Sequence, residues 1–543
     1  MSQETSPAHL GITRPISLAS SSEEEIQSSE QLLQTLHDFG LFESEEEAQK
    51  RVVVLSKLDK LVKDFVYKVS KMKGFPDSLA KEAGGKIYTY GSYRLGVHGA
   101  GADIDTLCVF PKHVEREHFF TVMFEMLKER SEVSELTAVP DAYVPVIKML
   151  FSGIPIDFVC ARLGMARVPE DLELADNNLL KNLDERCVRS LNGSRVTDDI
   201  LRLVPNVVNF RIALRTVKLW AQRRAVYANV IGFLGGVAWA MLVARVCQLY
   251  PNASPASLVN RFFMIFDKWK WPQPVMLKTI ETGPLAVRTW NPQLYPSDRN
   301  HKMPIITPAY PSMCATHNVT NSTLTIMRKE LERGKTIASE AIKGERPWKD
   351  LFEKSTFFTD YKTYLLVIAS AASAEQQLKW HGLVESKLRT IVSRLEMMEP
   401  VAWAHPFIKG IDKVHYVTQA ERAACMKGKY PADRTFDIDE GSMDKDYFED
   451  IKEKGLWPED KLEELSPLYS ATFYIGLAPN KAVTNDAKDD AENKSSKEAT
   501  EAKPAVKRQL DLKMVNQEFT SLVKGTDVYD EETMFIVMTK VKG

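Results

Sequence analysis

Three aspartates carry the chemistry. Gly91-Ser92-Tyr93-Arg94-Leu95-Gly96 is followed by Gly99-Ala100-Gly101-Ala102-Asp103-Ile104-Asp105. On a strand, residues i and i+2 project to one side, so Asp103 and Asp105 point together while Ile104 turns into the core. Carboxylates this close repel one another unless a cation lies between them. Mg2+ takes oxygen ligands and lets substrate phosphates complete its shell. Asp157 is a third acid, set in the apolar run Ile154-Pro155-Ile156-Asp157-Phe158-Val159. An acid there is costly to bury unless it is paired or metal-bound. If the two strands are neighbours, the three carboxylates converge. Such a cluster holds two ions roughly 3.5–4 Å apart, one activating a hydroxyl and the other steadying a leaving pyrophosphate. A D-x-D alone is a weak signal, because surface strands often carry alternating acids. The Gly-Ser turn before it and the isolated Asp157 after it favour a metal site. Ser92 and the N–H groups around Gly91 are candidates to bind phosphate oxygens. No G-K-[ST] follows, so this is not a P-loop.

The elements that must position these acids follow from periodicity. Residues 87–90 read as a strand, 91–101 as a Gly-rich loop and 102–110 as a strand ended by Pro111. A helix follows, with Phe119, Met123, Met126 and Leu127 on one face, then a strand over 136–139. Residues 144–151 and 154–159 read as a hairpin turning at Ser152-Gly153. The result is a small mixed sheet backed by helices. Ahead of it, Ser22 before Glu23, Glu24 and Glu25 marks a helix start, and 45–72 is a long amphipathic helix. Beyond 198 the chain turns helical: 200–227 is strongly periodic and 237–250 continues. Pro272, Pro274, Pro284, Pro292 and Pro296 mark an irregular stretch. Strands at 361–371, 470–477 and 532–541 around a helix at 381–396 indicate an α+β module. Residues 482–507, rich in Lys, Asp, Glu and Ala, read as a disordered loop.

At 543 residues the chain exceeds the roughly 250–300 at which a single core stops growing. The divisions expected are a tail over 1–21, a catalytic domain over 22–203, a helical middle domain over 204–354 and a C-terminal domain over 355–543. The net charge is −2, so RNA binding would have to come from local basic patches. The six cysteines form no C-x-x-C pair and read as reduced core thiols of an intracellular protein. The apolar run 230–244 is shorter than the roughly 20 residues of a membrane span and reads as a buried helix.

These residues resemble the nucleotidyltransferase superfamily that includes DNA polymerase β, and within it the eukaryotic nuclear poly(A) polymerases of fungal and animal type. The motif from Gly91 to Asp105 carries the resemblance. So do Leu191-Asn192-Gly193-Ser194-Arg195-Val196, Lys218-Leu219-Trp220-Ala221-Gln222-Arg223-Arg224, Gly235-Gly236-Val237-Ala238-Trp239-Ala240 and Thr307-Pro308-Ala309-Tyr310-Pro311-Ser312-Met313. It is dense over 30–330 and thinner afterwards. It implies an α/β and α+β multidomain fold: a palm with a mixed sheet, a helical middle domain and an RRM-like RNA-binding domain. It implies that Asp103, Asp105 and Asp157 are catalytic and hold Mg2+, with Mn2+ an alternative. Lys218 and Tyr227 would bind the incoming triphosphate of ATP, and Asn229, Gly236 and Val237 would shape the nucleotide pocket. Tyr90, Gly91, Ser92, Ala102 and Asp157 complete the nucleotide set. Tyr143, Lys148 and Asn192 would touch the single-stranded RNA 3′ end. It further implies a nuclear, monomeric enzyme without a membrane anchor, working in a cleavage and polyadenylation complex. The rival expectations are an enzyme with another donor or acceptor (CCA-adding or uridylyl-adding), an inactive RNA-binding scaffold on the same fold, and a primer-independent 2′-5′ oligoadenylate synthetase.

Overall fold

Strand alternation decides where the acids go. In the computed structural model, which describes residues 9–283, 285, 287–438, 446–480 and 510–543, the first sheet contains β1 (Lys86–Tyr90), β2 (Ile104–Phe110), β3 (Val133–Val139), β4 (Val146–Phe151) and β5 (Ile154–Arg162). Their order is β1-β2-β5-β4-β3. The β2–β5 pair is parallel and the others antiparallel. Ile104, Cys108, Phe110, Ile156, Phe158 and Cys160 face a core built with the helix Glu45–Met72 and Phe119, Met123 and Leu127. Leu107, Val109, Val159 and Ala161 face the opposite core, which takes Cys187 and Leu191 from the helix Glu185–Arg202. Asp105 and Asp157 share the parity of the second set. Both therefore emerge on the side of the helix Glu185–Arg202.

The β4–β5 hairpin turns at Ser152 and Gly153, both with positive φ (52° and 79°), the signature of a two-residue type I′ turn. Ser22 caps the first helix, Glu23–Asp38, as its acidic run predicted, and a capping box with Glu25 closes the N-terminus. Residues 9–21 lie along the helical part of the same unit: Ile16 N–H donates to Leu249 O at 2.8 Å and Asn252 Nδ2 to Leu18 O at 2.7 Å.

Two expectations need correction. The periodic stretch 200–227 is not one helix. The helix Glu185–Arg202 stops, and a new one, Val207–Arg223, begins after Pro205. Proline lacks the N–H that a continuous helix needs and restricts the residue before it. The apolar run 230–244 is helical only from Gly236, where Gly236–Leu249 starts. Ile231, Phe233 and Leu234 are buried without being helical. Trp220, Trp239 and Phe263 meet edge to face in the helical core.

Two units divide the chain. The first comprises Met1–Ala221, Gly235–His317 and Leu331–Glu353; the second comprises Gln222–Leu234, Asn318–Glu330 and Lys354–Gly543. In the second, β6 (Thr363–Ala371), β7 (Val401–Pro406), β8 (Ile411–Val417), β9 (Thr435–Asp437), β10 (Ser466–Pro479) and β11 (Met534–Lys542) form a sheet of order β11-β6-β10-β8-β9. β7 pairs with the far end of β10. The helices Ala374–Leu395 and Lys513–Lys524 complete the α+β module. Aromatic rings cluster along β8 and the segments after it: His415 stacks on Tyr430 at 4.0 Å and Phe436 on Tyr447 at 4.6 Å. The proposed disordered loop 482–507 lies outside the described residues. All six cysteines are free and buried. Among the described residues no helix is long and apolar enough to cross a membrane.

Candidate active site

The parallel register places Asp105 of β2 directly beside Asp157 of β5. Asp103 stands just before β2. One carboxylate oxygen from each of the three lies within 4.8 Å of the others. Asp103 is exposed and the other two are half-buried. Burial and the charges of Asp103 and Asp157 push the Asp105 carboxyl up to about 7, against the opposing pull of Lys148 and Lys218. Lys148 stands opposite Asp157 in the β4–β5 register and its ammonium is 2.6 Å from Asp157 Oδ2. Three crowded carboxylates, one depending on an ammonium for compensation, are a donor set that fits hard divalent cations.

The segment before Asp103 is not a plain loop. Gly91–Leu95 forms a helical turn. Gly91 takes φ +62°, and a Cβ there would lie 2.2 Å from Asp105 Oδ2. Only glycine allows the backbone that close to the carboxylate. The Gly91 N–H is already donated to Thr197 Oγ1 at 3.3 Å. That removes one of the amides expected to face phosphate. Ser92 is in the same turn, and Ala102 donates its N–H to Gly99 O at 3.3 Å. Tyr90 ends β1 against Gly193, where a Cβ would be 3.0 Å from the ring. Burial first, then the three aspartates, holds its phenol neutral, well above the ordinary tyrosine range.

Two arginines of the helix Val207–Arg223 brace this segment. Arg215 donates to His98 O and Leu41 O at 2.7 Å each and to Gly96 O at 3.1 Å. Arg211 donates to Leu95 O at 2.9 Å. From the other side, the Glu47 carboxylate accepts the Gly101 N–H at 2.7 Å. Residues 211, 215 and 218 recur at i, i+4 and i+7 on the helix Val207–Arg223. That helix therefore ties the aspartate-bearing segment to Lys218. The spacing was the available signal. Lys218 is half-buried. Burial, then Arg215, lowers its ammonium pKa, while Asp103 and Asp105 oppose the shift.

Beside Asp157 opens a recess of about 240 Å³, lined by Tyr90, Lys148, Asp157, Arg189, Ser190 and Gly193 among others. Asn192, on the adjoining helix, has its Oδ1 buried without a hydrogen-bond partner. Tyr143 is 74% exposed. Gly236 and Val237 begin the helix Gly236–Leu249 of the first unit. Tyr227 and Asn229 belong to the second unit, where Tyr227 bridges to Leu234 and Asn229 Oδ1 is buried without a partner.

The raised Asp105 carboxyl yields a stability prediction. Its folded value lies above the roughly 4 of an unfolded chain, so between those values the native state holds an extra proton. In chelator, this site makes stability fall as pH rises from about 4 to about 7. Asp105→Asn should therefore melt higher than the parent in chelator at pH 8, by on the order of 1 kcal/mol. The gap should narrow at pH 5, where the parent carboxyl is protonated. Added divalent cation should reverse the order, because only the parent keeps the full ligand set. Thermal unfolding under these three conditions checks it; a variant less stable in chelator at pH 8 contradicts it.

A mixed sheet that presents a D-x-D pair and a third aspartate from the neighbouring parallel strand defines a nucleotidyltransferase palm. Comparison with known proteins places the chain within that class. Residues 11–204 match the poly(A) polymerase nucleotidyltransferase domain, 209–354 the poly(A) polymerase central domain, and 356–543 the poly(A) polymerase predicted RNA binding domain. Poly(A) polymerase pla1 of Schizosaccharomyces pombe is 50% identical over 98% of this chain and 92% of its own length. Poly(A) polymerase PAPalpha of Candida albicans is 48% identical over 98% and 90%. A solved structure of Cid1, an RNA terminal uridylyl transferase, aligns at 14% identity and a TM-score of 0.41, covering 61% of this chain and 99% of that one. The chain belongs to the poly(A) polymerase family and is a polynucleotide adenylyltransferase.

Proposed function

We propose that the chain adds AMP from ATP to RNA 3′ ends in mRNA 3′-end processing, with Asp103, Asp105 and Asp157 holding two divalent cations, Mg2+ in the cell and Mn2+ as a substitute. The convergence of the three carboxylates carries the reading. When bound, the cations supply charge neutralisation at the triphosphate and activation of the attacking hydroxyl. The 3′-hydroxyl oxygen attacks the α-phosphorus and gives its proton to solvent, a P–O bond forms, and the bond to the bridging oxygen of the β-phosphate breaks to release pyrophosphate. Positioning and electrostatics account for most of such catalysis.

The protein's own groups divide the remaining tasks. In the first unit Lys218 takes the triphosphate, Ser92 assists at a phosphate oxygen, and Tyr90, Gly91 and Ala102 shape the wall beside it; Tyr227 of the second unit is likewise assigned to the nucleotide. Gly236 and Val237 of the first unit are assigned to the base, as is Asn229 of the second, where its partnerless Oδ1 is free for a polar contact. Lys148, Tyr143 and Asn192 are assigned to the RNA end, and Lys148 lines the recess beside Asp157. The catalytic domain is assigned to 22–203, the helical middle domain to 204–354 and the RRM-like domain to 355–543, with 1–21 a tail. A nuclear, monomeric protein recruited to a cleavage and polyadenylation complex fits this role.

A primer-extension assay with each nucleotide supplied singly tests the donor. ATP should support long products that need the primer and vanish in chelator. CTP, GTP and UTP should fall below ATP by at least about tenfold in kcat/KM. Preferred UTP incorporation, or products made without primer, would overturn the reading.

A further inference from the structure

We infer that Arg189 is a positioning residue for the RNA 3′ end: it holds the Tyr143 ring out as a stacking platform and sets a positive charge at the recess beside Asp157. The inference rests on the reading of that recess as the place of the acceptor end.

Arg189 lies on the helix Glu185–Arg202, and its side chain is among those lining the recess. Its guanidinium sits 3.9 Å from the centroid of the Tyr143 ring. Its Nη1 donates to Tyr143 O at 3.3 Å, so one side chain fixes both the backbone and the ring. Its Nη2 pairs with Glu185 one turn earlier, which orients the fork. Tyr143 is 74% exposed, whereas the Arg189 side chain is only 25% exposed. A ring so exposed adds little to a core. Held by a guanidinium against one face, it keeps surface for a base, and every base has a face that stacks without regard to sequence. Lys148 also lines the recess, paired with Asp157. Arg189 and Lys148 thus line the recess together with the acid Asp157, and the phosphodiester of an incoming strand carries one negative charge per nucleotide to meet the two cations. Glu185 is 80% exposed and does not line the recess, so it orients Arg189 without adding a further acid beside Asp157.

The test uses the full chain with a 5′-fluorescein oligo(A) primer, first by anisotropy in chelator and then by steady-state extension. Arg189→Ala should weaken primer binding and raise the primer KM by about tenfold, with the ATP KM within about twofold of the parent. The slope of log affinity against log salt should become shallower by about 0.7, one phosphate contact on a single strand. Arg189→Lys should keep the salt slope while recovering only part of the affinity, because an ammonium lacks the planar fork. Arg189→Ala and Tyr143→Ala together should cost less than the sum of the two, since they act through one platform. Melting temperatures of the variants should match the parent, which separates positioning from loss of fold. Unchanged primer affinity in Arg189→Ala, or equal losses for primer and ATP, overturns the role. Failure of the parent itself to extend the primer would instead overturn the proposed function, and anisotropy, which needs no turnover, tells the two failures apart.

Discussion

Asp157→Ala should lower AMP addition by about a thousandfold or more while leaving the protein folded. The reasoning is geometric. Asp157 pairs in register with Asp105 and supplies one of the three oxygens that close within 4.8 Å. Losing it leaves two carboxylates on one strand and nothing on the neighbour to share a cation. The structural consequence is small. Lys148 loses its partner, but its side chain is 53% exposed and water can take the place of the carboxylate. The loss should therefore fall on kcat, with melting temperature close to the parent. Asp157→Asn should lose nearly as much activity, because an amide keeps the shape without the charge. Near-parent turnover by either variant, measured by primer extension, would remove Asp157 from the site.

Gly91→Ala should lose about a hundredfold in kcat, although no catalytic side chain is removed. A Cβ at position 91 would stand 2.2 Å from Asp105 Oδ2, so the carboxylate or the turn must move. Displacement of a reacting group by about 1 Å is enough for a loss of that size. The positive φ adds about 1–2 kcal/mol of destabilisation for a residue with a side chain. Activity and stability should thus fall together, unlike in Asp157→Ala. Kinetics and thermal unfolding on the same preparation separate the two variants. A Gly91→Ala protein with parent turnover would mean that the turn does not position Asp105.

What the sequence made legible was local. Asp103 and Asp105 two residues apart, and one acid inside the apolar strand from Ile154 to Val159, announce themselves without a fold. Ser22, the long helix Glu45–Met72 and the Ser152-Gly153 turn were readable for the same reason, since each depends on neighbours within a few residues. The parallel pairing of β2 with β5 was not readable: it joins strands some fifty residues apart, and nothing in either strand states its partner. Pro205 marks the break between the helices Glu185–Arg202 and Val207–Arg223, and the apolar periodicity on both sides of it hides that break in the sequence. Arg215 shows a different limit. A basic residue on a helix looks the same in sequence whether it faces water or carbonyl oxygens. Only the fold shows that Leu41, Gly96 and His98 present theirs to it. Gly91–Leu95 reads as loop between its glycines, yet five residues suffice for one helical turn.

These pieces give the site a single logic. The strands set the parity that brings the acids to one face, the helix Val207–Arg223 braces the segment before them, and Gly91 leaves room for Asp105. The most direct measurement is anomalous diffraction from crystals grown with Mn2+ and a non-hydrolysable ATP analogue. The account predicts manganese peaks at roughly 2.1 Å from carboxylate oxygens of Asp103, Asp105 and Asp157, with the analogue's phosphates completing the shell. Manganese bound elsewhere, or bound without Asp157, would contradict it.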